Sequence, residues 1–158
     1  MPRPLRGLKP VELEAFLAEP RVARIAVVLA DGRPHVTPVL YAWDGERLQF
    51  STRRRTVKMQ GLEPDARVSV TIDEERPPWR GVLIDGIVEQ LPHDQAWVAE
   101  ALARYIGPAA AAVYAEHVTR DEPDRVRIAV RPESIASWNL GKALARIGSK
   151  EGFPGTRS

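Results

Sequence analysis

The sequence predicts a mainly β protein: a small antiparallel barrel of about six strands with short helices. Segments rich in Val, Ile and Thr recur at strand length along the chain. Two Asp-Gly pairs, Asp31-Gly32 and Asp44-Gly45, stand between the early segments as hairpin turns. Helical patterning is confined to short stretches and one longer excursion before the last strand. A barrel also removes the strand edges that such a chain would otherwise expose.

Residues 1–9, rich in Pro and Arg, are expected to form a flexible arm, and 10–147 a single domain. Pro10 suits the first turn of a helix over Val11 to Ala18, which Pro20 ends. Val22 to Leu29 reads as the first strand. His35 to Trp43 reads as the second, with Pro38 marking an edge, a bulge or a place where backbone faces a ligand. Leu48 to Thr52 is the third, so the first third of the chain reads as a three-stranded meander. Thr56 is positioned to cap a short helix ending near Leu62. Arg67 to Asp73 alternates as a half-buried strand, and Gly81 to Leu91 follows with Gly86 as a bulge. An excursion over 93–118 is helical, with Trp97, Ala101, Leu102 and Tyr105 on one face and a break at Gly107-Pro108. That stripe is expected to flank a pocket or cover a barrel opening. Arg125 to Arg131 is the sixth strand, with Ile135 to Trp138 as a short extended piece. The tail 148–158, rich in Gly and Ser, reads as flexible.

Composition excludes several classes. The chain has 158 residues, of which 44% are hydrophobic, enough for one domain with a buried core. It contains no cysteine, so disulfides, a thiolate nucleophile, iron–sulfur clusters and cysteine zinc sites are out. His35, His93 and His117 are too far apart for a metal-ligand motif. No apolar run approaches the roughly 20 residues that span a bilayer, and the first residues lack the apolar core of a secretory signal. A cytoplasmic protein with no membrane partner is the expectation. The formal charge of +2 makes no case for nucleic acid.

The position of the charge is more telling. Between Arg47 and Leu62 stand five cations (Arg47, Arg53, Arg54, Arg55 and Lys58) and no acid. A strand end, a loop and a helix start share that stretch, and Ser51, Thr52 and Thr56 add hydroxyls. Forked arginine donors beside a helix N-terminus describe a phosphate site; a solvated basic loop is the plainer alternative. No residue constellation for nucleophilic or acid–base catalysis stands out, so an enzyme of this sequence would rely on a bound cofactor.

Taken in order, the segments resemble the pyridoxamine-5′-phosphate-oxidase-like split-barrel family. The resemblance rests first on Arg24-Ile25-Ala26-Val27 with Asp31-Gly32-Arg33-Pro34-His35-Val36-Thr37-Pro38-Val39. It continues in Phe50-Ser51-Thr52 with Thr56-Val57-Lys58, and in Pro64-Asp65-Ala66-Arg67-Val68-Ser69-Val70. Pro77-Pro78-Trp79-Arg80-Gly81 through Gly86, and Arg131-Pro132-Glu133 through Trp138, complete it. The resemblance implies an FMN-binding type of split β-barrel, a homodimer, and two cofactor sites at the subunit interface. It assigns the cofactor's phosphate end to Ser51, Thr52, Arg53, Arg54, Arg55, Thr56 and Lys58. The backbone of Val36, Thr37, Pro38 and Val39 would line the ring, and Trp79, Arg80, Trp138 and Lys142 would come from the second subunit. The cofactor it implies is coenzyme F-420, favoured by the Glu75 to Val82 loop and the three arginines, or FMN. Pyridoxamine-phosphate oxidase activity itself is not expected, because its C-terminal Arg-x-His pattern is missing.

Three functions compete. The first is an oxidoreductase passing a hydride from a deazaflavin or flavin to a small conjugated or aromatic substrate. The second is a non-catalytic carrier or sensor of flavin, haem-like or other anionic ligands. The third, a nucleic-acid-binding barrel, is weakest, since no aromatic residue lies between Phe50 and Trp79 to stack a base beside the cations.

Overall fold

The computed structural model describes residues 7–151. The outer parts of the expected arm and tail, 1–6 and 152–158, lie outside the described residues. Helix α1 (Pro10–Ala18) leads into strands β1 (Val22–Val28), β2 (Pro34–Leu40), β3 (Ala42–Trp43) and β4 (Leu48–Arg53). Helix α2 (Val57–Leu62), strands β5 (Arg67–Asp73) and β6 (Arg80–Pro92), and helices α3 (Gln95–Ile106) and α4 (Pro108–Asp121) follow. Strand β7 (Arg125–Asn139) and helix α5 (Leu140–Glu151) are the last of the described elements.

All strand pairs are antiparallel, in the order β2-β1-β5-β6-β7-β4-β3. The two edge strands are consecutive in sequence, separated by Tyr41 alone. The sheet therefore curls until its edges meet, which makes a split barrel. Tyr41 is buried at that seam. Alternation fills the interior: Ala23, Ile25 and Val27 from β1, Val68, Val70 and Ile72 from β5, and Val126, Ile128 and Val130 from β7 join one apolar cluster with Phe16, Phe50 and Met59.

Among the described residues there are seven strands, where the sequence suggested six. The segment from His35 to Trp43 breaks at Tyr41, whose ring turns inward. Its first part remains beside β1, and its last two residues cross to the opposite edge. The expected three-stranded meander is therefore absent: β4 pairs with β7, not with β2. Both Asp-Gly turns form, with Gly32 at φ 82° and Gly45 at φ 97°, conformations that residues with a Cβ rarely adopt. Pro38 lies on an edge strand. The β6–β7 register shifts between Asp85 and Gly86, and a Cβ on Gly86 would stand 2.4 Å from the Arg131 carbonyl oxygen. The sixth strand and the extended piece after it are one fifteen-residue strand. Helix α5 was not anticipated, although Leu140, Leu144 and Ile147 have helical spacing; it enters the expected tail as far as Glu151.

Candidate functional site

A cleft of about 220 Å³ opens between the barrel and the helical excursion. Pro38, Val39, Leu40 and Tyr41 form one side, and Ser51, Thr52 and Lys58 another. Trp97, Val98, Ala101, Leu102 and Tyr105 from α3, Tyr114 from α4, and Arg125 from the start of β7 close it. All four residues of the predicted α3 stripe face this cleft. Apolar and aromatic walls with a few converging polar groups are the usual make-up of a small-molecule site.

The polar end is cationic. Lys58 is the second residue of α2 and only 8% exposed. Burial pushes its ammonium below its ordinary pKa, and the neighbouring Arg125 adds to the effect. Among the described residues Lys58 has no hydrogen-bond or ion-pair partner. A partly desolvated ammonium without a counter-charge is unfavourable, and an anion in the cleft that Lys58 lines would offset that cost. Arg125 is held on three sides. Its Nε donates to Glu122, Nη1 donates to Ser51 Oγ at 2.9 Å, and Nη2 donates to Tyr114 Oη at 3.3 Å. Thr52, also buried, supplies a hydroxyl 3.4 Å from that of Thr56.

The helix contribution expected for this site is small. Helix α2 has six residues, and the Thr56 hydroxyl donates to the Arg53 carbonyl at 3.0 Å instead of capping a helical N–H. Side chains, not the helix end, carry the positive potential.

Of the residues singled out in the sequence, Pro38, Val39, Ser51, Thr52 and Lys58 share this cleft. Val36 and Thr37 lie on the same edge strand but do not line it. The three arginines turn elsewhere. Arg54 donates to Gln90 at 2.9 Å, and Arg55, almost fully exposed, lies 3.7 Å from Asp124. Arg53 and Arg55 border a shallow depression with Thr56, Asp121, Pro123 and Asp124. Trp79, Arg80, Trp138 and Lys142 are not in the cleft of this chain. Arg80 is bound to Glu74, Lys142 to Glu12 at 2.7 Å, and the Trp138 indole lies across Gly81. Trp79 is partly exposed with φ 52°, a left-handed conformation that costs a residue with a Cβ some energy.

Sequence reasoning missed Arg125 and Tyr114; it put Tyr105 on the pocket-flanking stripe but did not anticipate its hydrogen bonds. Tyr105 fastens α3 to the seam: its hydroxyl lies 2.9 Å from the Arg21 carbonyl and 2.8 Å from that of Tyr41. Arg104 donates to the carbonyls of Ala18 and Tyr41 at 2.8 and 2.7 Å. Among the described residues no group of His, Asp and Glu has metal-binding geometry, and no helix is long and apolar enough to cross a membrane.

Residues 10–139 match the family model described as pyridoxamine 5′-phosphate oxidase, and the chain belongs to that family. Among solved structures, an F-420 reductase is 29% identical, with 78% of this chain and 94% of that chain covered at a TM-score of 0.63. A FAD-binding protein from Mesorhizobium loti is 26% identical over 84% of this chain and 93% of its own, at a TM-score of 0.59. A conserved hypothetical protein from Mycobacterium tuberculosis shares the fold over 99% of this chain and 97% of its own, at a TM-score of 0.76 and 23% identity. No curated protein gives a significant match.

Proposed function

We propose that this protein is an oxidoreductase that binds coenzyme F-420 in the Lys58 cleft and serves hydride transfer to a small conjugated or aromatic substrate. The observation that carries the reading is the buried, unpartnered Lys58 at the cationic end of an aromatic-walled cleft. The likeness to an F-420 reductase supports the deazaflavin. FMN is the alternative, favoured by the likeness to a FAD-binding protein and by a cleft with one compact anion site. When bound, such a cofactor supplies the hydride chemistry, and no side chain is required as nucleophile.

The chain's own residues bind and orient. Lys58 and Arg125 hold an anionic group, with Ser51 and Thr52 as hydroxyl donors. Trp97, Leu102 and Tyr105 wall off water from a flat ring, which strengthens every polar contact within the cleft. Arg53 and Arg55 border the adjoining depression, where a longer anionic tail leaving the cleft past Thr52 and Thr56 would find them. In this reading the protein acts as a homodimer, and Trp79, Arg80, Trp138 and Lys142 of a second copy complete the site.

Absorption spectroscopy of the purified protein, followed by titration with coenzyme F-420 and with FMN, tests the assignment. Saturable binding of F-420 and oxidation of its reduced form on adding a conjugated enone are expected. Tighter binding of FMN would move the assignment to the alternative, and binding of neither would overturn both. Light scattering at micromolar concentration should give the mass of a dimer; a monomer would sink the shared-site reading.

A further inference from the structure

The helical hairpin α3–α4 does more than cover the cleft. Val98, Ala115 and Val118 pack with Trp97, Ala99 and Leu102 into a core of their own, separate from that of the barrel. The hairpin is therefore positioned as a unit. It is tied to the seam at one end through Arg104 and Tyr105. From the middle of α4 Tyr114 reaches Arg125, both by the hydroxyl contact and with the guanidinium 6.0 Å from the ring centre.

A guanidinium carries five N–H groups. In Arg125 the Nε hydrogen goes to Glu122, one Nη1 hydrogen to Ser51 and one Nη2 hydrogen to Tyr114. One hydrogen on each terminal nitrogen is left over, a fork of the kind that matches phosphate or carboxylate. The plane of that fork is set by strand β4, the turn before β7 and helix α4 together. Because the Tyr114 hydroxyl accepts from Arg125, its own proton is left to donate, and it finds no acceptor among the described residues.

We propose that Tyr114 determines specificity for anionic ligands: it orients the free fork of Arg125 toward an anion beside Lys58 and donates its own proton to that anion. The helical hairpin, and not the barrel alone, then sets the preference for a phosphorylated over a neutral ligand. This inference rests on the reading of the cleft as an anion site.

The test is calorimetric titration of wild type and Tyr114→Phe with inorganic phosphate, FMN and riboflavin. The variant keeps the ring and removes only the hydroxyl. Phosphate and FMN should bind about three- to tenfold more weakly, the usual worth of one hydrogen bond, while riboflavin is unchanged. An equal loss for FMN and riboflavin would reduce Tyr114 to a wall of the cleft and overturn the proposal. Unchanged phosphate affinity would overturn it too. Wild-type binding of phosphate without FMN would refute the flavin alternative yet leave the Tyr114 proposal to be decided by the phosphate ratio. Absence of phosphate binding to wild type would overturn the proposal together with the anion site.

Discussion

Arg21 and Arg80 sit in a cage of carboxylates, whereas Lys58 and Arg125 face a cleft. In the first cluster Glu74, mostly buried, accepts from Arg21 at 2.9 Å and from Arg80 through both of its oxygens, with Glu19 beside them. The ring of Phe16 lies beneath, 4.3 Å from one guanidinium and 5.2 Å from the other. In the second cluster Arg125 has Glu122, and Lys58 has no ion pair among the described residues. The first cluster pairs its cations fully, while in the second Lys58 lines a cleft with no ion pair; under the proposed function that is where the anion binds. A paired, part-buried cluster stabilises the fold it belongs to. A partly desolvated charge without an ion pair adds little to the fold, and the proposed function gives it a role in binding.

Removing one charge from each cluster should therefore have opposite effects on stability. Glu74→Gln leaves two half-buried arginines with too little negative charge and should cost on the order of 3 kcal/mol in urea denaturation. The same carboxyl sets a pH dependence. Hydrogen bonding from Arg80 lowers Glu74 from an ordinary value of 4.5 to about 2. A depressed carboxylate contributes stability that is complete above about pH 4.5 and is lost as pH falls toward 2. Wild type should lose that increment on acidification, and Glu74→Gln should not. Parallel stability curves for the two proteins below pH 4.5 would deny Glu74 this role.

Lys58→Met tests the other side. It removes a partly desolvated charge that has no ion pair and keeps the aliphatic stem, so thermal or urea unfolding should show no loss and a gain of up to about 1 kcal/mol. A loss of stability would mean that Lys58 holds the fold. Because burial lowers the Lys58 ammonium below 10.5, its affinity for an anion should start to fall as pH rises, before that value is reached. Calorimetric titration of phosphate between pH 7 and 10 reads the effect, and a flat profile would place the charge elsewhere.

These contrasts also explain what the sequence could reveal. The two hairpins, the Gly86 bulge and the local group Ser51, Thr52 and Lys58 depend on neighbouring residues, so they were legible. Arg125 was not. It reaches Ser51 across 74 positions, through a β4–β7 pairing that no local pattern encodes. Tyr114 comes from helix α4 and meets Arg125 where the chain turns back into β7. The triple arginine is conspicuous because its cations are adjacent in sequence, while the Asp124 beside Arg55 becomes a neighbour only in the fold. The second strand was read through Tyr41 because alternation continues smoothly there. Its break follows from closure of the barrel, a property of the whole sheet.

The smallest expected effects belong to the exposed arginines. Arg55→Ala should change FMN affinity by less than about threefold, since an exposed charge interacts weakly through water. A larger loss would draw the triple arginine into the compact anion site and blur the contrast between the clusters. Affinity for coenzyme F-420 that falls in Arg53→Ala and Arg55→Ala, while FMN affinity holds, would sharpen it by placing the longer tail along the depression.

The most direct measurement compares FMN and riboflavin on wild type and Lys58→Ala. A charge-assisted contact is worth on the order of 1.5–3 kcal/mol, about ten- to a hundredfold in affinity. FMN should weaken by that factor in the variant, and riboflavin, which lacks the phosphate, should bind both proteins equally. Equal losses for the two ligands, or no loss for either, would contradict the account, because Lys58 would then shape the cleft without reading the anion.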